Sequence, residues 1–228
     1  MRILLLCPIC SAPKTPGSVI CDSCRAQLDS ECFDSFMTRC PVCLYPKVDE
    51  LYECDRCNSD PGPRVFSVAR YDGNLSYSIL DSYKFHGHKE MATVIALFIK
   101  QALTVLDPSS VALIVPIPCS DVRYSRFGWD QMIEVCKQLK RPFLQLIKNS
   151  DSKMKQQKRM NRAQRTEAST GKFKINDEYE SSIHSLSDRK IIVVDDIVTT
   201  MSTMNSAISL LKAKGFIDVS GASWLCEL

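Results

Sequence analysis

Apolar and polar positions along the chain change period several times, and each change marks an element. Ile191-Ile192-Val193-Val194 is an unbroken run of β-branched residues, the pattern of a strand buried on both faces in the middle of a parallel sheet. Asp195-Asp196 close it, and Thr199, Thr200, Ser202 and Thr203 follow. Met204, Ala207, Ile208 and Leu211 then fall at i, i+3, i+4 and i+7, the stripe of a helix that stops at Gly215. Upstream, Arg64 to Tyr71 predicts a strand, Asp72-Gly73-Asn74 a turn, and residues 76–85 a helix with Ile79, Leu80 and Tyr83 inward. Residues 89–106 predict a helix with Met91, Val94, Ile95, Phe98, Ala102 and Val105 on one face. Residues 111–115 predict a strand running into Pro116-Ile117-Pro118. Trp129, Met132, Ile133, Cys136 and Leu139 then predict a helix, and residues 142–147 a short strand. Alternation of strands and helices implies a parallel α/β sheet, which puts the 116–118 loop on the same rim as Asp195.

Strand, acid pair, hydroxyl loop and helix is an order suited to holding a ribose phosphate. Side chains alternate along a strand, so Asp195 and Asp196 can meet one ligand only where the backbone leaves the pleat, at the carboxyl end. Open α/β sheets bind ligands there. Two carboxylates accept hydrogen bonds from vicinal sugar hydroxyls. The amides and hydroxyls of residues 199–203, at a helix N-terminus, suit a phosphate dianion.

Eight of the twelve cysteines form four Cys-x-x-Cys pairs, Cys7/Cys10, Cys21/Cys24, Cys40/Cys43 and Cys54/Cys57. Adding 33 to each position of the first four gives the last four, and Pro8, Pro13 and Asp22 repeat as Pro41, Pro46 and Asp55, an internal duplication. Such a unit has too few large apolar residues to fold alone. Four thiolates around one Zn²⁺ supply about 10 kcal/mol of binding free energy that becomes folding free energy. Two structural zinc ribbons are the reading. Each unit closing its own site is one pairing; Cys21/Cys24 with Cys40/Cys43, leaving the outer four for the other site, is a second with allowed spacing. Cys32, Cys119, Cys136 and Cys226 fit no pair and read as buried or incidental thiols.

Charge divides the chain at the same place. Residues 1–60 hold six Lys/Arg and nine Asp/Glu, and residues 61–228 hold 23 and 17. Eight thiolates less two Zn²⁺ make the first part more acidic still, so as a module it repels phosphates. Pro61-Gly62-Pro63 marks the boundary, giving a double four-cysteine zinc-ribbon module at 1–60 and a second domain at 64–228. Residues 153–165 carry Lys153, Lys155, Lys158, Arg159, Arg162 and Arg165 without one acid. That is either a solvated segment or a basic loop for pyrophosphate or a DNA backbone. With few aromatics interleaved, base stacking is not visible there. His86 and His88 flank Gly87 and, like His184, read as solvated. The longest apolar stretch, residues 92–106, carries Lys100 and Gln101 and reads as a core helix rather than a membrane span. Residues 3–6 are followed at once by Cys7-Pro8, not a signal peptide's pattern, so the expected location is the cytoplasm.

The stretch from Asp195 to Thr203 resembles the signature of the type I phosphoribosyltransferases, two acids followed by Thr-Thr-Gly-x-Thr, with Met201 in the glycine's place. The resemblance implies that Asp195, Asp196, Thr199, Thr200, Met201, Ser202 and Thr203 surround the ribose and 5-phosphate of phosphoribosyl pyrophosphate, with Mg²⁺ on the pyrophosphate. A side chain at 201 costs about 1 kcal/mol or more where the loop needs positive φ. Val115-Pro116-Ile117-Pro118, Gly128-Trp129-Asp130-Gln131, Gln157-x-x-Met160-x-Arg162-x-x-Arg165 and the acid loop, all behind cysteine pairs, resemble in their order the ComF family of competence-associated proteins. Asp130 stands where that family has asparagine, and Ala168 replaces the asparagine after the arginines, departures that imply fewer polar contacts in the pocket.

What the ComF resemblance implies is a cytoplasmic factor handling single-stranded DNA in natural transformation. Its fold is an α/β, parallel-sheet phosphoribosyltransferase-like domain behind a duplicated zinc-ribbon module. Lys84, Gln157, Lys158, Arg162 and Arg165 are the candidates for pyrophosphate or DNA backbone. The alternative is an active phosphoribosyltransferase, whose chemistry is mostly positioning and charge stabilisation and needs no obvious nucleophile. A third expectation is an adaptor that docks a competence helicase or pore protein through its acidic head.

Overall fold

The computed structural model describes residues 5–33, 39–40, 42–47, 54, 57, 62–150 and 171–227. In chain order come α1 (Asp22–Glu31), β1 (Val65–Arg70), α2 (Asn74–Phe85), α3 (Met91–Leu106), β2 (Leu113–Pro116), α4 (Asp121–Phe127) and α5 (Gln131–Leu139). A hairpin of β3 (Ile147–Asn149) and β4 (Phe173–Ile175) follows, then a 3₁₀ turn (Asp177–Ser182), α6 (Ile183–Leu186), β5 (Ile191–Val198), α7 (Ser202–Ala213) and β6 (Val219–Cys226). Four strands form one sheet in the order β1-β6-β5-β2, and every pairing in it is parallel. The parallel α/β architecture is thus the one the alternating pattern predicts.

Each face of the sheet has its own core. Ile192 and Val194 pack with α2, α3 and α5 on one side, and Ile191 and Val193 with α7 and the β3/β4 hairpin on the other. α3 is buried almost all round, with Ile99, Leu103 and Leu106 inside as well as the predicted stripe. Val105 is 54% exposed, a correction to that stripe. At 100° per residue the apolar face rotates from Ala102 onto Leu106, leaving Val105 on the flank.

Besides α1, β4 and α6, the elements β6 and α4 escaped the apolar pattern. β6 reads Val-Ser-Gly-Ala-Ser-Trp at its start, with no hydrophobic run, yet it is buried throughout because β1 and β5 flank it. The Ser67 and Ser223 hydroxyls bond each other at 2.7 Å inside the sheet, whereas the buried Ser220 hydroxyl has no partner among the described residues. Gly221 is small by necessity, since a Cβ there would lie 2.8 Å from Met204 Sδ and 3.0 Å from Val65 Cγ2, where α7 crosses. α4 is short and has no buried residue, so it leaves no periodic stripe. The short strand predicted at 142–147 is corrected to a single parallel bridge, Ile114 with Phe143, followed by β3 at 147–149. α5, just before it, starts at Gln131 behind the Asp130 N-cap, so Trp129 precedes it.

β1 is an edge strand, and the N-terminal residues cover its free side. Phe33 N–H donates to Val68 O (2.9 Å), Val65 N–H donates to Cys43 O (2.9 Å), and Cys32 bridges Ala69. Arg39 lies 3.9 Å from the Phe66 ring centroid and donates to Ser67 O at 3.0 Å. The Glu31 carboxylate accepts from Leu75 and Ser76 N–H, both at 2.9 Å, capping α2 from the end of α1.

Candidate functional site

β5 does not end at its acids. Its pairing with β6 continues through Asp195↔Ser223 to Val198↔Cys226, whereas its pairing with β2 stops at Pro116↔Val194. This corrects the expectation that Asp195 and Asp196 lie past the strand. The alternation of the side chains slips just after them. Val194 packs on the α3 side, Ile197 packs on that same side three residues later, and Val198 packs on the α7 side. Because β2 has ended, one edge of β5 from Asp195 onward is open. A cleft of about 250 Å³ fills the gap, lined by Ile117 to Ser120, Arg123, Gln131, Asn149, Lys172, Lys84, Asp195, Asp196, Thr199 and Thr203. The proline loop and the acid pair therefore share one rim. Thr200, Met201 and Ser202 line a small cup of about 30 Å³ adjoining it, together with Asp195, Thr199 and Thr203.

Lys84 is predicted to face pyrophosphate or DNA, and it does line the cleft, but its amino group sits 2.8 Å from Asp196 Oδ1 with both side chains largely buried. Asp196 thus carries its own counter-ion. Asp195 accepts from the Asp196 N–H at 2.9 Å and has no ion-pair partner among the described residues. Burial, and then the neighbouring Asp196 carboxylate, push Asp195 up to about 7, with Lys84 acting in the opposite sense.

Gln131 explains how Lys84 reaches this place. Its side-chain amide, fully buried, donates to Tyr83 O and Lys84 O at 3.2 Å each and accepts from Arg123 Nη1 at 3.0 Å, while the Tyr83 hydroxyl donates to Gln131 O. One buried amide holds the last turn of α2 and an arginine of α4 against the cleft. Asp130 accepts from Cys119 N–H (2.8 Å) and Ile133 N–H (3.1 Å), so it caps α5 and fixes the proline loop. Asn149 donates to Cys119 O at 2.6 Å and ties the same loop to the hairpin. Lys172 donates to the Thr203 hydroxyl.

Met201 occupies the left-handed region, φ 62°, ψ −12°, at the N-cap of α7 and offers no side-chain acceptor there. The first-turn N–H groups of α7 are therefore not taken by a capping side chain, which leaves donors for an anion. The loop needs the backbone conformation that glycine adopts freely, and methionine adopts it under strain.

The cysteines assort by unit. Cys7, Cys10, Cys21 and Cys24 form one cluster and Cys40, Cys43, Cys54 and Cys57 another, each with its Sγ atoms within 4.8 Å of one another. This decides for sequential pairing over the inner set. Sγ separations of 3.5 Å (Cys10–Cys21), 3.7 Å (Cys40–Cys57) and 3.6 Å (Cys43–Cys54) suit a tetrahedral ion, for which Zn–S bonds of about 2.3 Å require roughly 3.8 Å. Each cluster can hold a metal. Burial opposes ionisation of Cys7 and Cys40, but knuckle N–H donors outweigh it and bring them down to about 6 and about 7.

Arg123, Asn149 and Lys172 are cleft residues that periodicity did not single out. Ser120-Asp121 ahead of Arg123 is an N-cap signal that marks α4; Asn149 ends β3 and Lys172 precedes β4, positions that no periodicity marks. Gln157, Lys158, Arg162 and Arg165, like the whole basic run at 153–165, lie outside the described residues. His86, His88 and His184 are exposed, the first two beside Asp81 and Glu90. Among the described residues no helix is long and apolar enough to cross a membrane.

Residues 109–220 match the family model of the phosphoribosyl transferase domain, a little under half of the chain. The match starts just before β2 and ends in β6, so it takes in the proline loop, the acid pair and the hydroxyl loop. The fold is of the phosphoribosyltransferase type. No curated protein matches the chain significantly.

Proposed function

We propose that the cleft binds a ribose carrying a 5-phosphate, of the phosphoribosyl pyrophosphate kind. The observation that carries this is the convergence of Asp195, Asp196, Thr199 and Thr203 with Lys84, Arg123 and Lys172 on one open strand edge. Asp195 and Asp196 accept from the ribose hydroxyls. Thr199 to Thr203 and the α7 N-terminus take the phosphate, and Arg123, Lys172 and Lys84 oppose the pyrophosphate charge, which Mg²⁺ accompanies. The two cysteine clusters hold structural Zn²⁺, and residues 1–60 and 64–228 are the two domains.

For this ligand we favour the ComF-type role, a cytoplasmic factor handling single-stranded DNA during DNA uptake, supported by the motif order and by the acid-free basic run. The second reading, phosphoribosyl transfer to a base or amine, is favoured by the cations facing the acids across the cleft, the arrangement that stabilises a departing pyrophosphate. Calorimetry with phosphoribosyl pyrophosphate and Mg²⁺ should give binding that Asp195→Asn/Asp196→Asn reduces at least a hundredfold; no heat from the natural chain would sink the pocket. Salt-sensitive single-stranded DNA binding, lost on neutralising residues 153–165, would support DNA handling, and its absence beside turnover of a base would favour the transferase.

A further inference from the structure

The two knuckles of the duplicated module share a backbone, and one of the side chains in which they differ reaches the sheet. In the first, Cys7 N–H donates to Ala12 O (2.8 Å) and Ser11 N–H to Cys7 O (2.9 Å). Thirty-three residues on, Cys40 N–H donates to Tyr45 O (3.0 Å) and Leu44 N–H to Cys40 O (2.9 Å). Ser11 and Leu44 take the same left-handed φ, 59° and 63°, and Leu6↔Pro13 matches Arg39↔Pro46. Where the first unit has Ala12, the second has Tyr45, and that side chain reaches the rim of the sheet. Its hydroxyl donates to Glu227 O, and Glu227 N–H donates to Val198 O at 3.0 Å. Val198 is the residue before Thr199. Tyr45 and Cys43 also wall a cavity of about 260 Å³ with Pro63, Thr199, Thr200 and Met201.

We propose that Tyr45 is a positioning residue that ties the second cysteine cluster to the 199–203 loop, so that metal occupancy of that cluster and ligand occupancy of the loop are linked. The first cluster, with Ala12 at the matching position, is not. The proposal rests on reading the clusters as zinc sites and the loop as the phosphate site. The physical route is short. Metal fixes the Cys40–Cys43 turn, the turn fixes Tyr45 through its carbonyl, and Tyr45 holds Glu227 against the last residue of β5. Linkage is reciprocal, so ligand on the loop must in turn retain the metal.

The zinc-loaded full chain tests this in two ways. Hydrogen exchange of residues 199–203 should quicken about tenfold in Tyr45→Ala, and less in Tyr45→Phe, while α3 stays as in the natural chain. Unchanged exchange at full zinc occupancy overturns the tie. Zinc release to a chromogenic chelator, with the clusters assigned by Cys54→Ser, should slow several-fold at the second cluster alone when phosphoribosyl pyrophosphate and Mg²⁺ are present, and Tyr45→Ala should abolish that protection. Equal protection of both clusters, or none despite measured ligand heat, also overturns it. Absence of ligand heat counts against the pocket instead, and the exchange comparison, which needs no ligand, still decides the tie.

Discussion

The two cysteine units repeat one spacing and one knuckle, yet they are built into different parts of the molecule. The first serves the core: Cys7, Cys21 and Cys24 are buried in the same cluster as α3, α1 starts on Cys21, and Leu28 of α1 is 1% exposed. The second meets the start of β1 through Cys43 and the rim through Tyr45. Ligand spacing fixes the local fold, because four thiolates on one ion leave a short chain little choice. The neighbours are set by residues that touch no metal, Leu28 and Glu31 in one unit and Tyr45 in the other.

Removing one ligand from each unit is the strongest way to break the comparison. Cys21→Ser should destabilise the whole fold by on the order of 5 kcal/mol, since a buried cluster feeding the main core loses its ion. Cys54→Ser, at a half-exposed ligand, should cost less and leave the unfolding of α3 cooperative; thermal unfolding with zinc counted per chain distinguishes them, and equal losses would erase the distinction.

Asp195 gives a pH test of the rim. Its carboxyl keeps its proton to higher pH folded than unfolded, so between about pH 4 and pH 7 unfolding releases a proton, and stability falls as pH rises through that window and levels above it. Asp195→Asn should remove the fall and gain ~1–2 kcal/mol at pH 8, once screening by solvent is allowed for; denaturant unfolding at pH 5 and pH 8 measures it. Glu31→Ala should cost about 1–2 kcal/mol, the loss of two charge-assisted caps on α2. It should leave loop exchange untouched, which sharpens the contrast with Tyr45. Smallest is Met201→Gly, which relieves the left-handed φ but loses some packing, for a net gain of up to about 1 kcal/mol; an equal loss would show that packing dominates there.

How much was legible follows the same physics. Ile191 to Val194, the α3 stripe and the cysteine spacing are local signals: period and composition alone require a buried strand, a buried helix and two tetrahedral thiolate sets. Asp195 and Asp196 were legible as candidates because acids closing such a run have few structural reasons to be there. β6 was not, because a strand of Ser, Gly and Ala is apolar only by virtue of the strands beside it. Nor was the open edge of β5, which exists because β2 stops at Pro116 while β6 continues.

By itself the sequence determined the class of fold, the duplication, the four-cysteine sets able to hold a metal and the hydroxyl loop proposed here for an anion, since each follows from residues close together in the chain. Only the tertiary structure decided which cysteines cluster together, that Lys84 neutralises Asp196, that Gln131 holds two cations on the cleft, and that Tyr45 rather than Ala12 reaches the rim. Several of those are contacts between residues far apart in the chain, 48 positions for Tyr83 with Gln131 and 182 for Tyr45 with Glu227. Side-chain periodicity carries no information about such pairs until the sheet has brought them together.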